Sequence, residues 1–295
     1  RRDGDLPVAD RHLRRALLVA EMGGADLVKA AVFTELISVH TTWNHFAVAR
    51  ELAKQAAATV ARTGSAQHAA RLEREIGDLM HRDGTPADTL SHYLAALDGF
   101  RRDAGERDDF EIATTLQSVA AAELDLGRHT DAEAHYRSAH EMMVRLVGAG
   151  HAHVATILAE LAESLRRQNK LDEAKRVLES GLAIAEGARA PAESVAQLLN
   201  ALGNLALEGD QATEALARVD RAYQVLSNEN PKHTVLLNTV RLQGESLLSL
   251  KRYDDALAKF EQAKGLIAAK KGPDNLDIAF AEAAIASVPE GAGPP

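Results

Sequence analysis

Five of the twelve histidines fall within one short stretch of the chain, and they are its clearest candidates for metal chemistry. They are His129, His135, His140, His151 and His153. Histidines that bind one metal from a helix must share a face of that helix. At about 100° per residue, His135 and His140 point about 140° apart, and His151 and His153 also point to different faces. With no His-Glu-x-x-His pattern and no cysteine, the spacing predicts no metal site and favours solvent-facing histidines.

Motifs for catalysis and cofactor binding are also missing from the sequence. Gly148-Ala149-Gly150 looks like the start of a dinucleotide loop, but it follows a predicted helix and lacks the third glycine, so a linker is favoured. There is no phosphate loop and no nucleophile elbow. Acidic pairs such as Asp172-Glu173 fall at predicted helix starts, where they offset the helix dipole. We predict no catalytic residue and no cofactor; any catalytic domain would lie outside this stretch.

Net charge and cysteine content limit the classes of partner and the cellular compartments that we expect for this protein. The 295 residues carry a net charge of −9, which disfavours nucleic acids and anionic membranes as partners. The absence of cysteine excludes disulfides, and no signal-peptide pattern or membrane-length apolar run occurs. We expect a cytoplasmic location. The chain lacks an initiating Met and starts at the second helix of a repeat, so we expect a fragment of a longer protein.

Apolar residues recur at steps of three and four, which is typical of helices rather than strands. One such stripe is Val154, Ile157, Leu158, Leu161 and Leu165. Prolines stand where a new helical pattern begins, and none interrupts a pattern. The predicted class is all-α, with helices at 7–22, 26–40, 44–61, 66–82, 86–103, 109–126, 129–147, 151–168, 171–186, 192–208, 212–228, 232–250, 253–270 and 274–287.

These helices are organised by a motif that is repeated along the chain. Its skeleton is a turn residue, a basic residue, an acid and then Ala-x-x-x-bulky-x-x-small, as in 127–139. The anchor positions 9, 49, 89, 132, 174, 215 and 256 are 40 to 43 residues apart. Such near-constant spacing predicts a solenoid of helix pairs. A small residue twelve before most anchors is predicted to let the helices of a pair approach closely: Gly77, Ala120, Ala162, Gly203 and Gly244.

This pattern resembles the tetratricopeptide repeat (TPR). The resemblance rests on Leu202-Gly203 with Ala215, on Leu161-Ala162 with Ala174 and Leu178, and on Gly244 with Ala256, Phe260 and Ala263. The period, longer than the usual ~34 residues, is similar to that of the kinesin-light-chain-like branch, with its 42-residue repeats. The first-helix Trp of the family is absent. HEAT-type repeats share the longer period and remain a minor alternative.

The resemblance implies a right-handed superhelical solenoid of about seven units. We predict one solenoid over 1–288, with units at 1–24, 25–64, 65–106, 107–149, 150–190, 191–231 and 232–272. A closing helix at 273–288 and a disordered tail at 289–295 follow. The helix at 7–22 lacks its partner, so Leu13, Leu17 and Leu18 should meet missing residues or a second copy. We therefore keep self-association through the N-terminal end as a hypothesis.

In the family, the first helix of each unit lines a concave groove. Carried over to this chain, the candidate partner-binding residues are Arg74, Gln117, Thr156, Asn200, Asn204, Asn238 and Arg241. Asn200 and Asn204 lie four apart on one helix face, and an amide can both donate to and accept from a peptide backbone. Arginines in the groove favour a partner with some negative charge. Ordinary polar surface is the alternative for the two asparagines.

Two hypotheses for function follow from the resemblance. The first is a non-catalytic protein–protein interaction module that binds a peptide or partner protein in its groove. Such arrays also occur in C-terminal regions of bacterial Ser/Thr protein kinases and signalling regulators. The second hypothesis is therefore the sensor or scaffold region of such a larger protein.

Overall fold

The computed structural model describes residues 6–105, 107–227, 234–271 and 282–288. Within these residues the chain is all-α and contains no strand, as predicted. The chain divides into two compact units, residues 1–147 (the first unit) and residues 148–295 (the second unit). Helix bounds agree closely with the predicted ranges, because the apolar periodicity runs unbroken through each segment.

Seven helices lie in the part of the first unit that the structure describes. They are α1 (Leu6–Met22), α2 (Asp26–Thr42), α3 (Phe46–Thr63), α4 (Ala66–Asp83), α5 (Pro86–Ala104), α6 (Phe110–Asp125) and α7 (His129–Val147). Helices α2 and α3, α4 and α5, and α6 and α7 pack as three pairs, each made of a first and a second helix. α1 packs against α2, in the position that a second helix takes in the other pairs.

The described residues of the second unit form three further pairs. Its helices are α8 (Ala152–Arg167), α9 (Leu171–Gly187), α10 (Ala192–Glu208), α11 (Ala212–Ser227), α12 (Thr234–Ser249) and α13 (Tyr253–Lys271). The first helices α8, α10 and α12 are neighbours, since α10 contacts both others. Residues 282–286 are also helical, in the range predicted for the closing helix.

Close approach within each pair depends on the small residues of the first helices. A Cβ at Gly77 would lie 2.5 Å from the Tyr93 ring, and one at Gly244 would lie 2.5 Å from the Phe260 ring. The bulky second-helix residue therefore sits directly on the first-helix glycine. The anchors Ala174 and Ala215 are fully buried, which confirms the predicted repeat phase.

Two helix ends show how the connecting turns are built. After α10 the residue with positive φ is Asp210, at 55°, and not the preceding Gly209. Before α5 the Thr85 hydroxyl donates to the Met80 carbonyl at 3.1 Å, so it satisfies the end of the preceding helix instead of capping α5.

The ends of the chain differ in how their apolar residues are covered. Leu13 and Leu17 pack onto the core of the first unit and stay partly exposed. Leu18 is 61% exposed and Met22 is 81% exposed, so self-association through α1 stays a prediction. Near the other end, Ile285 packs against the Phe260 cluster. Of the residues expected in the closing helix, Leu276, Ile278, Ala279 and Phe280 lie outside the described residues.

Candidate functional site

The second unit contains a cavity of about 360 Å³ between its first helices α10 and α12. Residues four or three apart project from one face of each helix, so the two rows meet across the space between the helices. The lining residues are Gln197, Asn200, Ala201, Asn204, Val235, Asn238, Arg241 and Leu242. Four of the seven predicted partner-binding residues therefore share one cavity: Asn200, Asn204, Asn238 and Arg241.

Asn200 differs from the surface residue that the sequence suggested, since it is only 3% exposed. Its Nδ2 atom donates to the Thr239 hydroxyl oxygen at 2.8 Å. Thr239 in turn donates to the Val235 carbonyl at 2.8 Å. The Oδ1 atom of Asn200 is buried and accepts no hydrogen bond from the residues that the structure describes. A buried acceptor without a donor is unusual in a folded protein.

Two residues at the rim of this cavity, Asn204 and Arg241, form hydrogen bonds or ion pairs with neighbouring carboxylates and amides. Arg241 pairs with Glu245 on its own helix and donates to Asn238 Oδ1 at 2.9 Å. The Nδ2 atom of Asn204 lies 3.4 Å from Glu208 Oε1. The rim arginine is therefore already neutralised.

A neighbouring network bridges α8 and α10. Arg166 donates to Glu208 at 2.6 Å and to Glu163 at 2.7 Å. Burial acts to raise the pKa of Glu163, but hydrogen bonds from Arg166 and Arg167 outweigh it and hold the pKa below its usual value. Thr156, also on α8, is exposed, and its hydroxyl lies 3.5 Å from the Ala152 carbonyl. It does not line the cavity between α10 and α12.

The first unit places Arg74 at a separate cavity of about 410 Å³. Its lining is Arg74, Glu75, Asp78, Phe110, Glu111, Thr114 and Ser118. Arg74 pairs with Glu111, and Arg71 also contacts Glu111 at 3.0 Å. Gln117 is half-buried on α6 and is not among the lining residues. Of the two predicted residues in the first unit, one lines the cavity.

Sequence reasoning missed the largely buried acids Glu75 and Asp78 beside Arg74. Burial, followed by repulsion from Asp78, raises the pKa of Glu75 to about 7. Burial also raises the pKa of Asp78, although the Tyr93 hydroxyl donates to it at 2.6 Å. Asp78 directly follows Gly77, where α4 and α5 approach closely, and this position was the available signal. Asp78 lies fifteen residues before Tyr93, whose hydroxyl it meets on the second helix.

Thr239 was also missed, and the repeat could have revealed it. It lies 39 residues after Asn200, close to one repeat, so the two fall at matching heights on neighbouring first helices. Thr239 stands among apolar residues of α12. Because a threonine inside a helix can bond its own backbone, its polarity alone does not indicate a functional role. Only the contact with Asn200 distinguishes it.

Most of the five histidines are less exposed than the sequence suggested. His151 is exposed as expected, but His129, His135, His140 and His153 are half-buried, and His135 bonds Glu123 at 2.7 Å. Among the described residues, no group of three His, Asp or Glu side chains could hold a metal ion. Burial lowers the pKa of His140 and of His153. Across the described part of the chain, no helix is both long and apolar enough to cross a membrane.

Comparison with known proteins identifies the repeat. The tetratricopeptide-repeat family profile matches residues 111–187 and 194–288, more than half of the chain. A search of curated protein sequences gives no significant match.

Solved structures of low identity share the fold. BtubC (BKLC) from P. vanneervenii is 21% identical, with a TM-score of 0.67 over 78% of this chain and 93% of that protein. Repeats of a candidate kinesin light chain from Podosopora anserina are 15% identical, with a TM-score of 0.58 over 69% of this chain and 98% of theirs.

The third comparison is NprR in complex with its cognate peptide NprX. It is 13% identical, with a TM-score of 0.62 over 96% of this chain and 84% of NprR. Its apo form, from B. thuringiensis, is described as a quorum sensor. At these identities the structures show the fold alone. With the profile match, the helix pairs and the glycine contacts together, the chain belongs to the tetratricopeptide-repeat family.

Proposed function

We propose that this chain is a non-catalytic interaction module whose second unit binds an extended peptide segment between α10 and α12. One observation carries the proposal: the cavity of about 360 Å³ is bordered by Asn200, whose buried Oδ1 atom has no hydrogen-bond donor among the described residues. A ligand that supplies the donor would remove the penalty of that unpaired acceptor. NprR, which shares the fold, is described in complex with a peptide, and this supports the ligand class.

The composition of the cavity favours a peptide over a flat protein surface. Its walls combine apolar groups from Ala201, Val235 and Leu242 with side-chain amides. Such a mixture buries a side chain and orients it through a few polar contacts, as ligand cavities generally do. Asn238 and Gln197 are exposed at the rim, where they can contact the peptide backbone.

The arginines do not provide a strong preference for an acidic partner. Arg241 pairs with Glu245, and Arg74 pairs with Glu111. These ion pairs remove the reason for expecting negative charge on the partner. Arg74, Gln117 and Thr156 stay predictions as contact residues, while the proposal rests on Asn200, Asn204, Asn238 and Arg241.

Site-specific photo-cross-linking tests this proposal. A benzophenone amino acid replaces Gln197, which is exposed at the cavity rim, and the purified chain is irradiated with a synthetic random peptide library. The control carries the same group at Ala217, which is exposed on the second helix α11. We expect peptide adducts at Gln197 and few at Ala217.

A steric variant provides an independent check. Ala201→Trp would fill the cavity from α10 and should abolish peptide capture, whereas Ala217→Trp should leave it intact. Circular dichroism would show that both variants remain helical. Equal adduct yields at Gln197 and Ala217, or full capture by a folded Ala201→Trp variant, would place the binding surface elsewhere.

A second candidate function is the sensor region of a larger signalling protein, as in a bacterial Ser/Thr protein kinase. The description of NprR as a quorum sensor favours it. Reading the complete coding sequence tests this idea. A kinase catalytic loop in the same polypeptide would support it, and a full-length protein without any signalling domain would rule it out.

A further inference from the structure

The Asn200 carboxamide has a definite orientation, because Thr239 determines which end of the amide it contacts. The Thr239 hydroxyl uses its single hydrogen on the Val235 carbonyl at 2.8 Å. Its oxygen can then only accept, so the atom at 2.8 Å from it must be the Nδ2 donor of Asn200. If the amide were rotated by 180°, Asn200 Oδ1 would face the Thr239 oxygen, and two acceptors would meet with no hydrogen between them. The orientation therefore follows from the hydrogen bonds rather than from the shape of the side chain.

The group left without a partner is accordingly an acceptor. Asn200 Oδ1 is buried and receives no hydrogen bond from the described residues. Thr239 is itself fully buried on α12, so solvent does not compete for its hydroxyl. Asn200 is one of the residues that line the cavity between α10 and α12, and its Oδ1 atom is left without a donor from the described residues.

The surroundings of this oxygen discriminate among possible donors. The described residues that line the cavity include no carboxylate, and Arg241 is the one among them that carries a charge. An ammonium or guanidinium entering the cavity would lose water without gaining a counter-ion. A carboxylate offers no hydrogen at neutral pH, so it would face Asn200 Oδ1 as a second acceptor. Uncharged donors are the remaining class.

We propose that Thr239 is a positioning residue that presents Asn200 Oδ1 as an acceptor, so that the cavity selects a peptide side chain with an uncharged donor, a carboxamide or hydroxyl, over a carboxylate. This rests on the proposed function, because it assumes that a peptide occupies the cavity. The side chains meant are those of Asn, Gln, Ser and Thr. Asn and Asp in the peptide are nearly the same size. A difference in their affinity for the cavity therefore measures the effect of the donor group and not of side-chain volume.

The experiment uses the complete chain and an equimolar library of acetylated heptapeptides randomised at every position. Peptides retained by the immobilised chain are sequenced by mass spectrometry, and the ratio of Asn to Asp is scored at each peptide position. One good hydrogen bond lost or gained corresponds to a change of up to about tenfold in affinity. We expect the wild type to favour Asn over Asp by about fivefold to tenfold at one position.

Substitutions at Thr239 separate positioning from packing. Thr239→Val keeps the branched shape but removes the hydroxyl, so the Asn200 amide can turn over and the Asn-to-Asp ratio should fall towards one. Thr239→Ser keeps the hydroxyl and should restore the ratio. Nuclear magnetic resonance supplies a second readout, since the Nδ2 protons of Asn200 should exchange slowly in the wild type and in Thr239→Ser, and quickly in Thr239→Val.

The outcomes distinguish the two proposals. A wild-type chain that retains no peptide contradicts the proposed function and this inference together. Retention in the cavity with equal Asn and Asp, or a ratio unchanged in a folded Thr239→Val variant, overturns the inference alone. If Thr239→Val fails to fold, the wild-type ratio and the Asn200 amide exchange rates still test it.

Discussion

The carboxamide of Asn200 joins two first helices of the second unit, because its Nδ2 atom bonds Thr239 across the space between α10 and α12. Asn204, one turn further along α10, makes only a 3.4 Å contact with Glu208. Two asparagines that look equivalent in the sequence therefore have different roles. Asn200 supports the packing of the helices, and Asn204 lies at the rim.

This difference predicts unequal effects on stability. Asn200→Ala should lower the free energy of unfolding by about 1–2 kcal/mol, since it removes a buried hydrogen bond and leaves a small void. Asn204→Ala should change it by no more than about 0.5 kcal/mol. Urea denaturation measures both. Equal stability of Asn200→Ala and wild type would contradict the burial of this residue.

The buried Glu75 predicts a pH dependence of stability in the first unit. Its folded pKa of about 7 lies above the usual value of 4.5, so between these values the folded chain holds a proton that the unfolded chain has lost. The contribution of this group to stability is therefore present at low pH and decreases as the pH rises through this window. At pH 8 the folded state carries a buried charge beside Asp78.

Glu75→Gln removes that charge and should stabilise the chain at pH 8 by about 1–3 kcal/mol, with little effect near pH 4.5. Urea denaturation at both pH values measures the difference. Glu51→Gln, at an exposed position near Lys54, serves as the matched control. An equal effect of Glu75→Gln at the two pH values would show that Glu75 titrates normally in the folded chain.

At the scale of the helix pair, the contact between first and second helices depends on small residues at fixed heights. A Cβ at Gly203 would lie 2.6 Å from a Val219 methyl group and 3.5 Å from the Ala215 carbonyl oxygen. Ala215 is fully buried in the same contact. There is no room for a larger side chain unless α10 and α11 separate.

Ala215→Leu should therefore lower the free energy of unfolding by about 1–3 kcal/mol through overpacking. Ala174→Leu should have a similar effect in the pair α8 and α9, since Ala174 is also fully buried. Ala217→Leu is the matched control, because Ala217 is exposed on α11 and should tolerate the change. Chemical denaturation measures the three variants. If Ala215→Leu proved as stable as Ala217→Leu, Ala215 would not lie at the close contact between α10 and α11.

At the scale of the whole molecule, a repeat array has to cover the apolar face of its last pair. In the second unit, Ala284, Ile285 and Val288 pack against the cluster that contains Leu247 and Phe260. An ion pair of 2.9 Å between Lys264 and Glu282 joins the same segment to α13. The segment acts as a cover for the last helix pair.

Removal of residues 273–295 should expose this cluster, lower the unfolding midpoint and increase aggregation. Removal of 289–295 alone should have little effect, because those residues follow the packed segment. Light scattering during heating compares the two truncations with the complete chain. Equal solubility and equal midpoints for all three would show that the segment does not serve as a cover.

The sequence by itself determined the repeat, its phase and the helix bounds, because these depend on local periodicity and on the heights of small residues. Ala174, Ala215 and Gly244 could be placed at helix contacts without a structure, since each recurs at the repeat spacing. The closing segment could also be foreseen, because an apolar stripe follows the last full unit.

The tertiary structure alone decided how the polar residues of the first helices are used. A helix pattern shows which face a side chain occupies, but not which atom of a neighbouring helix it meets. Arg74 therefore pairs with Glu111 and is not available as a free charge for a ligand. Glu75 is largely buried beside Asp78. Asn200 bonds Thr239, 39 residues away, and this long-range contact leaves its Oδ1 atom as the acceptor. Hydrogen-bond geometry across helices, which periodicity does not encode, determines the chemistry of the site.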